Sequence, residues 1–173
     1  MLSSVRPGWR RFRPVPLLLA AVFVAATLPG TSAPASAAAV TATQTCNNVL
    51  VVPDSSFEAC VSVSFEADTW RPGYSYATVF ATARRDVIPT GSAAVQLTLT
   101  DVIVYHGWNT ANTAWEAVAR VGYPVVGADS VAQNQSTRSS YSDTAGHAFR
   151  GCVKWQAPGL GEQLTCTKPA LLG

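Results

Sequence analysis

The sequence predicts an all-β protein, an antiparallel β-sandwich preceded by a signal peptide. Three observations carry that expectation: apolar residues recur at every second position, turn-forming residues interrupt the chain at short intervals, and four cysteines fall in two equal spans. A period of two marks a strand with one face on a core and the other in water. Short strands with frequent breakers favour a sandwich or barrel over alternating α/β units.

In chain order, residues 1–16 carry Arg6, Arg10, Arg11 and Arg13 and no acid, and they run into the apolar segment 17–28. Charge followed by a short greasy run is the order of a signal peptide. A run of twelve residues falls short of the roughly 20 that a membrane-spanning helix needs, and Pro29 and Gly30 end it. Ala35, Ser36 and Ala37, or Ala37, Ala38 and Ala39, offer cleavage after Ala37 or Ala39; residues 1–39 are therefore read as leader and 40–173 as one β domain. The Arg10–Arg11 pair is followed by Arg13 and Pro14 where a twin-arginine signal has apolar residues, so the general secretory route is favoured. Neither a lipid-attachment motif at Cys46 nor a hydrophobic tail near Gly173 is visible. The expected product is secreted and extracellular, without membrane association once the leader is removed.

Charge excludes a further class. Loss of four leader arginines leaves 8 of the 12 basic residues against 10 acidic ones, so the formal charge of +2 becomes −2. With Arg84–Arg85 as the one adjacent basic pair of the domain, no nucleic-acid footprint exists.

Within the domain, Ala59, Val61, Val63, Phe65 and Ala67 share one face of a strand, with Cys60, Ser62, Ser64, Glu66 and Asp68 on the other. Residues 74–84 and 93–105 read as further strands. In the latter, Val95, Leu97, Leu99, Ile103 and Tyr105 are in phase, and Asp101 falls on that apolar face. A bulge at Thr100 or Asp101 would turn Asp101 to solvent and bring Val102 and Val104 inward, and this is the favoured pattern. Thr113 to Glu116 forms a capping box ahead of a two-turn helix over 114–121. The same residues alternate, with Trp115, Ala117, Ala119 and Val121 on one side, and the β context favours a strand. The polar stretch 130–144 reads as a long loop or an exposed edge strand. An immunoglobulin-like arrangement is compatible as architecture only: Arg150 stands where that family's tyrosine precedes the second cysteine, and the core disulfide is missing.

Four cysteines allow three pairings. Cys46 and Cys60 flank a turn near Pro53, and Cys152 and Cys166 flank another at 158–161. Two hairpin-spanning bridges, Cys46–Cys60 and Cys152–Cys166, are therefore expected, each contributing about 3 kcal/mol through loop closure. Phase places both on the outer faces of the sheets. No C-x-x-C spacing supports a metal site, and no cofactor is implied.

Catalysis finds no constellation. His106 and His147 lack a G-x-S-x-G elbow and read as strand-end residues. The aromatics give a better argument: Trp70, Tyr74 and Tyr76 surround the turn at Pro72 and Gly73, and Trp108 follows Gly107. Loop aromatics stack on sugar rings or anchor protein interfaces, although they also cap the open ends of sandwiches. The expectation is a monomeric, non-catalytic domain binding an extracellular glycan or protein. The alternatives are an inhibitor of a foreign hydrolase, acting through loop 52–57 or 157–162, and a small hydrolase using Asp101 or the histidines.

Overall fold

The structure is a computed structural model describing residues 43–52, 55–108 and 114–173. The leader with its two cleavage sites, Pro53, Asp54 and Thr113 lie outside the described residues. Every regular element among them is a strand: β1 (Thr43–Val52), β2 (Ser55–Ala67), β3 (Tyr74–Arg85), β4 (Gln96–Gly107), β5 (Glu116–Val121), β6 (Val125–Ala128), β7 (Ser130–Ser136), β8 (Tyr141–Ser142), β9 (His147–Gln156), β10 (Gln163–Cys166) and β11 (Ala170–Leu172). They form two antiparallel sheets packed face to face, a β-sandwich. The first sheet runs β1-β2-β3-β7 with β8 also on β3. The second runs β10-β9-β4-β5, with β11 on β9 and β6 on β4.

Alternation decides which side chains meet between the sheets. On β2 the buried residues are Ser55, Phe57, Ala59, Val61, Val63 and Phe65, while Ala67, in phase with them, is exposed at the strand's end. β3 contributes small groups, Ala77, Val79, Ala81 and Ala83, and β9 supplies the large Phe149 and Trp155 to the same core. Small residues on one sheet make room for large ones on the other, as close packing requires. Trp155 is fully enclosed, so its indole N–H must find an acceptor. It donates to Thr165 Oγ1 at 3.2 Å, which also accepts from Asn47 Nδ2, and that junction ties β1 to β10 along one side of the sandwich.

Both disulfides pair as expected, Cys46 with Cys60 and Cys152 with Cys166. In each case the two cysteines stand directly opposite in neighbouring strands. Both bridges therefore lie within a sheet, on its outer face. Within 114–121 the strand β5 forms over Glu116–Val121 in place of a helix, and the polar stretch 130–144 holds the edge strands β7 and β8.

Two bulges correct the simple phase. Between Leu99 and Asp101 the β4–β9 register slips by one residue, leaving Thr100 as the extra residue. Val102 and Val104 turn inward as the bulge predicts, and Ile103 and Tyr105 move to the outer face. Asp101 does leave the core, but solvent does not receive it: the residue is 3% exposed and forms an ion pair with Arg120 of β5. The Asp101 carboxylate holds the Arg120 guanidinium above its ordinary pKa by hydrogen bonding and charge. A second slip on β5 leaves Val118 as the extra residue between partners of Val104 and Tyr105, so Ala119 and Val121 are buried while Ala117 is exposed. The single face expected for Trp115, Ala117, Ala119 and Val121 is thus split in two.

The end of the sandwich near Arg85 is sealed by polar groups. Buried Arg85 donates to Ser55 Oγ at 2.9 Å and to the Ala93 carbonyl at 3.1 Å, and its guanidinium lies 3.6 Å from Asp129. Asp129, in the left-handed region at φ 58°, turns the chain from β6 in one sheet to β7 in the other. Its amide donates to the Val95 carbonyl at 2.8 Å and its carboxylate accepts the Val95 amide at 3.0 Å.

At Gly151 the facing sheet leaves no room for a side chain: a Cβ there would lie 2.8 Å from a Val79 methyl and 2.9 Å from a Val63 methyl. Gly151→Ala should therefore destabilise the domain by about 1–3 kcal/mol, read from the urea midpoint. Adding Val79→Ala should recover part of that loss, so the two changes together should cost less than their sum.

Candidate functional site

At the opposite end of the sandwich the two sheets are closed by rings. The Thr100 bulge puts Val102, Val104 and His106 on the inner face of β4, with Trp108 one step further in the same phase. On β9 the inner face carries His147, Phe149, Gly151, Val153 and Trp155. Register then places the histidines together, His106 opposite Phe149 and one step from His147. Their ring nitrogens meet, His106 Nε2 to His147 Nδ1, at 2.9 Å, and both residues are buried. Tyr141 of β8 reaches across from the first sheet, stacked on His106 at 5.0 Å and edge-on to Phe149 at 4.9 Å. Trp108 roofs the group, 5.1 Å from the His147 ring and 5.4 Å from the His106 ring, and is itself 68% exposed.

One nitrogen of the pair donates and the other accepts, so the bond survives with both rings neutral or one protonated and is lost when both carry a proton. Burial lowers the His106 pKa from its ordinary value, a charge on His147 lowers it further, and Glu116, directly across on β5, pulls it back up. Burial also lowers that of His147. The Tyr141 phenol is raised, first by burial and then by Glu116.

The other exposed indole sits at the same end. Trp70 is 90% exposed at the tip of the β2–β3 connection, whose shape is set by Asp68. The Asp68 amide donates to the Tyr74 carbonyl at 2.8 Å, its carbonyl accepts the Arg71 amide at 3.2 Å, and its side chain accepts the Trp70 amide at 2.9 Å. Gly73, at φ 78°, supplies the left-handed residue that lets the turn close. Burial pushes the Asp68 carboxyl up, but hydrogen bonds from Ser140, Trp70, Tyr76 and Arg71 outweigh it and hold the group below the ordinary carboxylate range.

Tyr74 and Tyr76 project from the outer face of β3 and are half-buried. Tyr74 lies under the Arg71 guanidinium at 4.6 Å, and the Tyr76 hydroxyl is engaged with Asp68. Trp70 and Trp108 are thus the freely presented rings of the expected set, with the two tyrosines supporting the Trp70 turn. Among the described residues no ring contact joins Trp70, Tyr74 or Tyr76 to Trp108.

Asp101 and His106 occupy opposite faces of the second sheet, so no acid–histidine relay links them. Among the described residues the histidines hydrogen-bond only to each other. The three-residue group of ligand types, Cys46, Glu58 and Cys60, has both sulfurs in a disulfide and offers no thiolate. The loop 157–162 turns through a Leu160 amide to Ala157 carbonyl bond at 2.9 Å and directs Leu160 against the core. Phe57, in the other hairpin, is core as well. No family model matches the chain, and no curated protein matches it in sequence.

Because both histidines bind protons less readily in the folded state than the ordinary pKa near 6.5 implies, the unfolded chain takes up more protons as pH falls below that value. Folding stability should be level above about pH 7 and decline as pH drops through 6.5 toward the folded-state values. Urea midpoints measured from pH 8 to pH 5 should show this slope, and His147→Asn should flatten it.

Proposed function

We propose that the chain is a secreted, non-catalytic binding domain that recognises an extracellular glycan or protein through the ring-closed end of the sandwich, with Trp108 and Trp70 as its contacts. The observation that carries this reading is the state of Trp108: one side of the indole is packed on the histidine pair while the residue remains 68% exposed. A core residue would be covered, and a merely tolerated surface ring would be unsupported. A ring held from behind has little rotamer freedom to lose when a ligand settles on its open side, which favours binding.

Trp70 has the complementary property, full presentation on a turn with three backbone and side-chain hydrogen bonds to Asp68. The two disulfides of a small β domain fit an oxidising, extracellular setting, consistent with export by the leader.

Trp108→Ala and Trp70→Ala variants of the secreted domain, screened on glycan and protein arrays against the parent, test the proposal. Trp108→Ala should weaken the parent's best ligand about tenfold or more, equivalent to about 1.4 kcal/mol, with a smaller loss for Trp70→Ala. Full retention of binding by both variants would remove the support for this surface.

A further inference from the structure

We propose that the outer face of the second sheet carries a separate binding site for an acidic sugar, with Arg150 as the carboxylate receptor. The site is a cleft of about 150 Å³ lined by Tyr105, Trp115, Arg150, Cys152, Leu164 and Cys166. Its construction follows from the fold. The Thr100 bulge turns Tyr105 outward, directly opposite Arg150 on β9, and the Cys152–Cys166 bridge lies beside them across β9 and β10. Trp115 forms the wall ahead of β5, and Leu164, an exposed residue of β10, the far rim.

Among the described residues Arg138 and Lys168 have no acid partner and are exposed, whereas Arg150 is half-buried and has none either. Arg84 pairs with Glu58, Arg85 with Asp129, Arg120 with Asp101 and Lys154 with Glu162. Arg150 has no acid or hydrogen-bond acceptor among the described residues, and its Nε is buried without a partner. Enclosed donors are normally satisfied, and an uncompensated guanidinium lining a cleft is satisfied best by an anion. The planar fork of an arginine matches a carboxylate in two parallel hydrogen bonds.

The walls define what carries that carboxylate. Tyr105 and Trp115 offer apolar ring surface of the kind that stacks on the C–H faces of a pyranose, and the cleft has room for a single ring. A peptide fits less well, because extended peptides are recognised through free backbone groups at a sheet edge, whereas Tyr105 and Arg150 sit on strands paired on both sides. The chemistry therefore specifies a hexuronate unit of an acidic polysaccharide. This site lies on a sheet face and includes neither Trp108 nor Trp70.

Titration of the secreted domain with trigalacturonate, its fully methyl-esterified form, and an acidic tripeptide tests the assignment by calorimetry and by amide and indole chemical shifts. Trigalacturonate should bind at least tenfold more tightly than the ester, weaken with added salt, and shift the Trp115 indole and the Arg150 and Tyr105 amides more than the Trp108 indole. Arg150→Gln should bring acid and ester to equal affinity while keeping the parent's urea midpoint, and Arg150→Lys should retain part of the preference. Absence of trigalacturonate binding, equal binding of the ester to the parent, tighter binding of the tripeptide, or an acid preference that survives Arg150→Gln would each overturn the assignment.

Discussion

A single extra residue in β4, Thr100, governs how this domain presents its chemistry. A strand has only two faces, and one inserted residue exchanges them for everything downstream. Ahead of the insertion Leu97 and Leu99 point into the core; beyond it Val102, Val104 and His106 do. Without the slip, Asp101 would be driven between the sheets with no cation to meet it, and Ile103 and Tyr105 would take the places of Val102 and Val104. With it, the carboxylate finds Arg120 on the neighbouring strand, His106 reaches His147, and Tyr105 is released to the outer surface. Both candidate surfaces depend on that exchange.

The two ends of the sandwich answer one physical problem in different ways. Two stacked sheets leave the core open to water wherever the strands stop. Near Arg85 the opening is closed by charge and hydrogen bonds, with Val87 and Ile88 exposed on the connection that follows β3. At the other end the closure is made of flat rings in mutual contact, Phe65 on Phe149, Tyr141 on His106, and Trp108 above. Rings seal as well as aliphatic groups, but the outermost of them keeps a broad face in water. An apolar closure of this kind is inherently a contact surface, and a polar one is not.

Much of the fold was legible in the residues because it is local. The hairpin spans of the cysteines, the strict alternation of β2 and the conflict at Asp101 are each contained within about fifteen positions, so the pairing of the sulfurs and the slip in β4 follow from spacing and phase. What escaped the sequence depends on which strands are neighbours. His106 and His147 are 41 residues apart, and only the pairing of β4 with β9 makes them partners. Tyr141 sits in a polar run with no periodicity to mark it as a core ring. The burial of Asp101 likewise required knowing that β5 lies alongside and carries Arg120. The bulge at Val118 was hidden because its immediate neighbours, Ala117 and Ala119, are both small and apolar, so a shift of one residue leaves no local mark in the pattern.

The position of the two sulfur links has a consequence for how the molecule comes apart. Each joins adjacent strands of one layer, and neither crosses from layer to layer. Oxidation therefore stiffens two β-hairpins and contributes nothing directly to the adhesion of the halves, which rests on interleaved methyls and rings around the bare backbone at Gly151. A pull that slides one layer over the other meets no covalent resistance, whereas a pull that peels β1 from β2 or β10 from β9 is stopped at the first cysteine it reaches. The domain is built like two reinforced boards held face to face by fit alone.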